Sequence, residues 1–182
     1  KMLIRSSNPS NVLALARNYK AGGVYIFHGD ADEVVPVTFA RQMRNLLGEF
    51  HQDFSYYEYP GGSHWFGDHS VDWKPLFDFF RWHSIPASDA VNEIDFSTAS
   101  TGISANHRWI TILQQQRSFE YSRITLSRDL KKKTIKGKTE NIASLSIDLS
   151  DFKEGDTVNI QLDQYQEKFI RSMPLIFYKN GI

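Results

Sequence analysis

Apolar positions follow two different rhythms along the chain. In the first, helix-spaced and continuous apolar stretches alternate. Asn8-Pro9 opens a predicted helix, since proline is tolerated in a first helical turn. Val12, Leu13, Leu15 and Ala16 give that helix an apolar face, and Gly22-Gly23 stop it. Val24-Tyr25-Ile26-Phe27 is a near-continuous apolar run, the pattern of a strand covered on both faces in a parallel sheet. Val37 to Phe50 predicts a second helix, with Phe39, Met43, Leu46 and Leu47 on one side. Phe54 to Tyr59 predicts a second strand, which Pro60-Gly61-Gly62 breaks. Val71 to His83 predicts a third helix carrying Leu76, Phe77, Phe79 and Phe80.

The second rhythm begins at about Ser84, where Ile85-Pro86-Ala87-Ser88 reads as a linker. Trp109, Ile110 and Ile112 sit in one short segment, and Tyr121 to Ser127, Leu145 to Leu149 and Val158 to Leu162 alternate with period two. Met173 to Phe177 closes the series, and Lys136-Gly137-Lys138 and Lys153-Glu154-Gly155-Asp156 read as turns. The expected fold class is therefore α/β over residues 1–84, parallel strands with flanking helices, followed by an all-β, sandwich-like module over 85–182.

Composition narrows the function. Hydrophobic residues make up 41% of the 182 residues and charged ones 23%, ordinary for a globular chain. The 21 basic and 21 acidic side chains cancel, which argues against nucleic-acid or anionic-membrane partners. No apolar run approaches the ~20 residues of a membrane-spanning helix, and Lys1 to Ser10 hold no apolar signal-peptide core. The absence of cysteine excludes disulfides, thiolate nucleophiles and cysteine-ligated zinc, and leaves the compartment open.

Two stretches carry the candidate chemistry. His28-Gly29-Asp30-Ala31-Asp32-Glu33-Val34-Val35-Pro36 lies at the carboxyl end of the first predicted strand, where ligands and catalytic groups of open α/β sheets collect. Gly61-Gly62-Ser63-His64-Trp65 follows the second strand directly. One helix separates the two strands, so a right-handed crossover sets them side by side and both loops leave the same sheet edge. A carboxylate of the first loop then reaches the imidazole of His64, fixing its tautomer and stabilising it when protonated. On the residues alone, Asp30, Asp32 and Glu33 all compete for that role.

The pattern His28-Gly29-x-x-Asp32-x-x-Val35-Pro36 followed by Gly62-x-His64 resembles the α/β-hydrolase domain of the prolyl oligopeptidase-like serine peptidases and related esterases. The resemblance covers roughly residues 8 to 83. It implies that Asp32 is the triad acid and His64 the general base, in the chain order acid then histidine. It further implies a peptide or ester substrate and no cofactor. The chain departs from the family in one large respect: no Gly-x-Ser-x-Gly elbow precedes Asp32. Ser6, Ser7 and Ser10 suit capping, Ser63 adjoins His64 too closely in sequence, and Gly102-Ile103-Ser104-Ala105 lacks the second glycine. The expectation is a C-terminal portion of a serine hydrolase, inactive without the missing nucleophile-bearing part.

Plainer readings stand beside these. His28 reads as a strand-end stabiliser. His64, Asp68, His69 and Asp72 supply metal-ligand types, but their spacing matches no recognised zinc site, so no metal is expected. Trp65, Phe66, Trp73, Phe77 and Phe79 read as core and pocket wall. Trp109, Tyr121, Tyr165 and Phe169 read as packed sheet faces, with a carbohydrate-stacking platform as the alternative. The rival function is a non-catalytic module that binds carbohydrate or protein, attached to a vestigial hydrolase scaffold.

Overall fold

The computed structural model describes residues 2–171 and 175–178. It divides into two compact units, one of residues 19–86 and one of residues 1–18 together with 87–182.

In the unit of residues 19–86, β1 (Val24–Gly29) pairs in parallel with β2 (Phe54–Tyr59), in a register that sets Val24 opposite Phe54 and Gly29 opposite Tyr59. Between them runs α2 (Thr38–Gly48), and α3 (Lys74–Trp82) follows β2. Arg41 on α2 makes a two-pronged bond to Glu58 on β2, at 2.8 and 2.7 Å, which ties the crossover helix to the strand it precedes. Buried His51 fixes the entry to β2. Its Nε2 donates to the carbonyls of Tyr19 and Gly22, both at 3.0 Å, so Nδ1 is free to accept the amide of Asp53. The apolar packing here is aromatic. Trp73 stacks on Phe27 and on Tyr57, with centroids 5.0 and 5.1 Å apart, and its indole N–H donates to the Tyr25 hydroxyl. Tyr59 stacks on Phe66 at 4.6 Å.

The other unit opens with α1 (Met2–Ser6) and is otherwise β, in chain order β3 (Glu93–Thr98), β4 (Asn106–His107), β5 (Ile110–Gln115), β6 (Ser122–Asp129), β7 (Thr134–Glu140), β8 (Ile142–Ile147), β9 (Thr157–Leu162), β10 (Tyr165–Ile170) and β11 (Leu175–Tyr178). One sheet has the order β10-β9-β7-β6-β3 and the other β11-β8-β5-β4. Neighbours are antiparallel except β7 and β9, which run parallel because β8, between them in sequence, belongs to the other sheet. Inward positions of both sheets meet in one core that includes Phe96, Ile112, Ile124, Ile135, Ile147 and Ile160. Arg128 is wholly buried in this unit, with its guanidinium 2.8 Å from Asp151, bonded to the Ser88 carbonyl, and over the Trp109 ring. A charge so far from water stays tolerable only with such partners.

The expected fold class does not hold. The chain is mostly β, 36% strand against 22% helix, in three sheets, and no α/β-hydrolase-like parallel core with flanking helices exists among the described residues. The parallel part is two strands, and Val24 to Phe27 are only half-buried, so their continuous apolar run does not mark a strand covered on both faces. The first predicted helix is also absent. Residues 8–10 and 16–21 form short 3₁₀ turns instead. Asparagine side chains explain the loss, because they compete with the helical backbone for hydrogen bonds. Asn11 Oδ1 accepts the amide of Ala14, Asn8 donates to the Phe119 carbonyl, and Asn18 bonds both the carbonyl and the amide of Ser97 on β3. That stitching also places residues 1–18 with the β unit rather than with residues 19–86.

Smaller differences have equally local causes. α3 starts at Lys74 rather than Val71, with Pro75 in its first turn and a 3₁₀ turn, Gly67–Ser70, ahead of it. Lys136-Gly137-Lys138 lies inside β7 rather than in a turn. A Cβ on Gly137 would stand 2.0 Å from the Thr125 carbonyl oxygen, so glycine there permits close strand approach. The turn between β6 and β7 spans 130–133, and Asp129 Oδ1 accepts the amides of Lys131 and Lys132 at 3.0 and 2.9 Å. Met173 and Pro174, expected in the last strand, lie outside the described residues.

Candidate functional site

The loops that follow β1 and β2 are bound to each other before either bears chemistry. The amide of Asp30 donates to the Tyr59 carbonyl, and the amide of Ala31 donates to the Gly62 carbonyl. Asp30 Oδ1 accepts the amide of Gly61 at 2.6 Å. Gly29 and Gly62 form the crossing point. A Cβ on Gly29 would lie 2.3 Å from the Gly62 carbonyl oxygen, and one on Gly62 would lie 2.9 Å from the Gly29 Cα. Only residues without a side chain let these two backbones touch.

That contact brings Asp32 to His64. Asp32 Oδ2 accepts from His64 Nδ1 at 3.0 Å, while Oδ1 accepts the amides of Val34 at 2.9 Å and Val35 at 2.8 Å. The Asp32 side chain is 6% exposed and that of His64 36%. Burial pushes the Asp32 carboxyl upward and is the largest single influence on it. The hydrogen bonds from Val35, His64 and Val34, together with the charge of His64, outweigh it and bring the carboxyl down to about 2. Asp32 is therefore a carboxylate at any pH near neutrality. Since a carboxylate only accepts, Nδ1 of His64 carries the hydrogen, and in the neutral ring Nε2 is left with a lone pair. Among the described residues no hydrogen bond engages that Nε2. Trp65 meets the imidazole edge to face, with centroids 5.4 Å apart, and its own side chain is largely exposed.

No protein-family model matches the chain, and neither a curated protein nor a solved structure is found to match it.

The three competing carboxylates separate cleanly. Asp32 faces His64, Asp30 is occupied with Gly61, and Glu33 has no bond to His64 among the described residues. Ser63 donates to the Trp65 carbonyl at 3.0 Å and so turns to its own loop rather than to His64. Ser7 caps the end of α1 by donating to the Ile4 carbonyl. Among the described residues, no group of three metal-ligating side chains converges, and the side chain of His69 lies outside them. Phe66, Trp73 and Phe79 pack, whereas Trp65 and Phe77 are exposed. The four aromatics of the β unit do not make one platform. Trp109 is buried with its N–H on the Val91 carbonyl, and Phe169 packs against the core, while Tyr121 and Tyr165 are exposed. The contribution of Asp30 was hidden in the sequence, where a carboxylate beside a glycine turn looks the same whether it tethers or reacts.

Proposed function

We propose that this chain carries the acid and the general base of a serine peptidase or esterase. Asp32 orients His64, and His64 Nε2 takes the proton of an attacking serine and returns it to the leaving group. The observation that carries this reading is the 3.0 Å bond from His64 Nδ1 to an ionised, nearly buried Asp32, with no hydrogen bond on Nε2 among the described residues. Asp32 does not take the proton; it holds the tautomer and stabilises the imidazolium as it forms. The serine and the oxyanion-stabilising donors come from polypeptide outside these residues, since Ser63 is committed to Trp65. The substrate is a peptide or an ester, with the exposed Trp65 ring as an apolar surface beside the base.

The test compares this chain with the longest product of its gene on an activated ester and a panel of short peptides. Hydrolysis by the longer product alone, abolished by a serine-directed phosphonate and by His64→Ala, is the expected result. Undiminished hydrolysis in the His64→Ala protein would remove His64 from the chemistry, and inactivity of both proteins would favour a binding role.

A further inference from the structure

His28, the penultimate residue of β1, is the least explained polar group near the pair. Its Nε2 lies 2.8 Å from the Val35 carbonyl oxygen. A carbonyl only accepts, so Nε2 carries the hydrogen, and the tautomer of His28 is the reverse of that of His64. The same Nε2 stands 3.4 Å from Asp32 Oδ2, the oxygen that holds His64. The one hydrogen of Nε2 goes to the Val35 carbonyl, so the ring packs beside Oδ2 while His64 is its hydrogen-bond donor. Val35 is gripped twice, its amide by Asp32 Oδ1 and its carbonyl by His28. The His28 side chain is 17% exposed, so little water is at hand to replace it.

We infer that His28 is a positioning residue: it closes the Asp32–Val35 turn and points Asp32 Oδ2 at His64 Nδ1. This rests on the reading of Asp32 and His64 as acid and base. Without His28, the carboxylate keeps the two turn amides on Oδ1, but the Val35 carbonyl loses its donor and Oδ2 loses the ring packed beside it. Oδ2 is then free to swing with the turn, and the imidazole loses a fixed acceptor. Small misplacements of this kind matter because proton transfer requires near-attack geometry.

Two polar variants separate positioning from mere space-filling. In His28→Gln the amide nitrogen falls near the place of Nε2; in His28→Asn it stops one bond short. The proton on His64 Nδ1 is read by NMR in the 182-residue chain, identified by its loss in His64→Ala, with the dispersed amide signals of the β strands as the control for folding. The expected result is a slowly exchanging, downfield Nδ1 proton in the wild type and in His28→Gln, and its broadening or loss in His28→Asn. In a hydrolytically active form of the protein, His28→Asn lowers kcat by up to about a hundredfold with KM little changed, and His28→Gln restores most of it. Equal behaviour of the two variants, both keeping the resonance or both losing it, overturns the assignment. The resonance needs no turnover, so a failure to find hydrolysis would sink the proposed activity and still leave the role of His28 decided.

Discussion

At the scale of single residues, the site assigns different work to two carboxylates only two positions apart. Asp30 ties one loop to the other through the Gly61 amide, while Asp32 keeps both oxygens within the turn and on His64. Their variants should behave differently. In an active form of the protein, His64→Ala is expected to cost several orders of magnitude in kcat, because members of such a unit fail together. Asp32→Asn should cost somewhat less, since the amide can still reach the ring but can present a donor where an acceptor is needed. Asp30→Asn keeps an acceptor for Gly61 and should leave kcat within a few-fold of the wild type. Steady-state rates on one ester decide the matter, and a larger loss from Asp30→Asn than from Asp32→Asn would reverse the assignment. Spacing placed both loops at one sheet edge and set a carboxylate against His64, but it left Asp30, Asp32 and Glu33 in competition, and only the family resemblance favoured Asp32. It left the tether of Asp30 illegible, because that carboxylate acts through a backbone amide that no side-chain pattern records.

At the scale of elements, close backbone contacts and asparagine stitches decide what forms. Gly29→Ala and Gly137→Ala would force a methyl to within 2.3 and 2.0 Å of carbonyl oxygens, so backbone must move. Each should destabilise by about 1–3 kcal/mol or more. Gly48→Ala, at the end of α2 with open space around it, should instead be neutral or stabilising by up to about 1 kcal/mol. Urea unfolding midpoints test the contrast, and equal midpoints for all three would show that the crossing distances carry no strain. Asn18→Ala removes two bonds to Ser97 and should cost about 1–3 kcal/mol; a midpoint unchanged from wild type would contradict that. Strands announced themselves where burial alternates, as in β6 and β9, because period-two patterning reflects two unlike faces. β7 did not, since its lysines and central glycine look like a turn until the approach of β6 is known. The helix expected after Asn8 failed for a similar reason. Its apolar spacing was real, but Asn8 and Asn18 have partners more than seventy residues away.

At the scale of the whole molecule, titration should weaken the fold at both ends of the pH range. Asp32 and Glu58 are each held down to about 2 from ordinary values of 3.8 and 4.5. For Glu58 the bond from Arg41 is the main cause, helped by the Tyr56 hydroxyl. Asp78, Asp129 and Asp156 are lowered as well, chiefly by Lys74, the Lys132 amide and Lys133. A carboxyl lowered in the fold contributes stability that is complete above its ordinary value and disappears as pH falls to the lowered one. The contribution of these carboxylates to the thermal midpoint should therefore be complete above pH of about 4.5 and fall between there and about 2. His83 works in the opposite sense. The Phe79 carbonyl and Asp53 raise it above 6.5, so its contribution is complete below 6.5 and is lost as pH rises through the raised value. Scanning calorimetry across pH 2 to 9 would read both limbs. A flat acid limb would mean that the ion pairs do not form, and an Arg41→Met protein should flatten part of it.

Residues 1–18 belong to the same unit as 87–182, with the whole of 19–86 between them. On the ribosome, Asn8 and Asn18 leave the exit tunnel long before Phe119 and Ser97 have been translated. Residues 19–86 form one continuous stretch and can settle once it has emerged, while residues 1–18 wait for the β strands that are synthesised later. A polypeptide ended after Pro86 and released from the ribosome would thus carry both loops of the Asp32–His64 pair, with the acceptors for Asn8 and Asn18 missing.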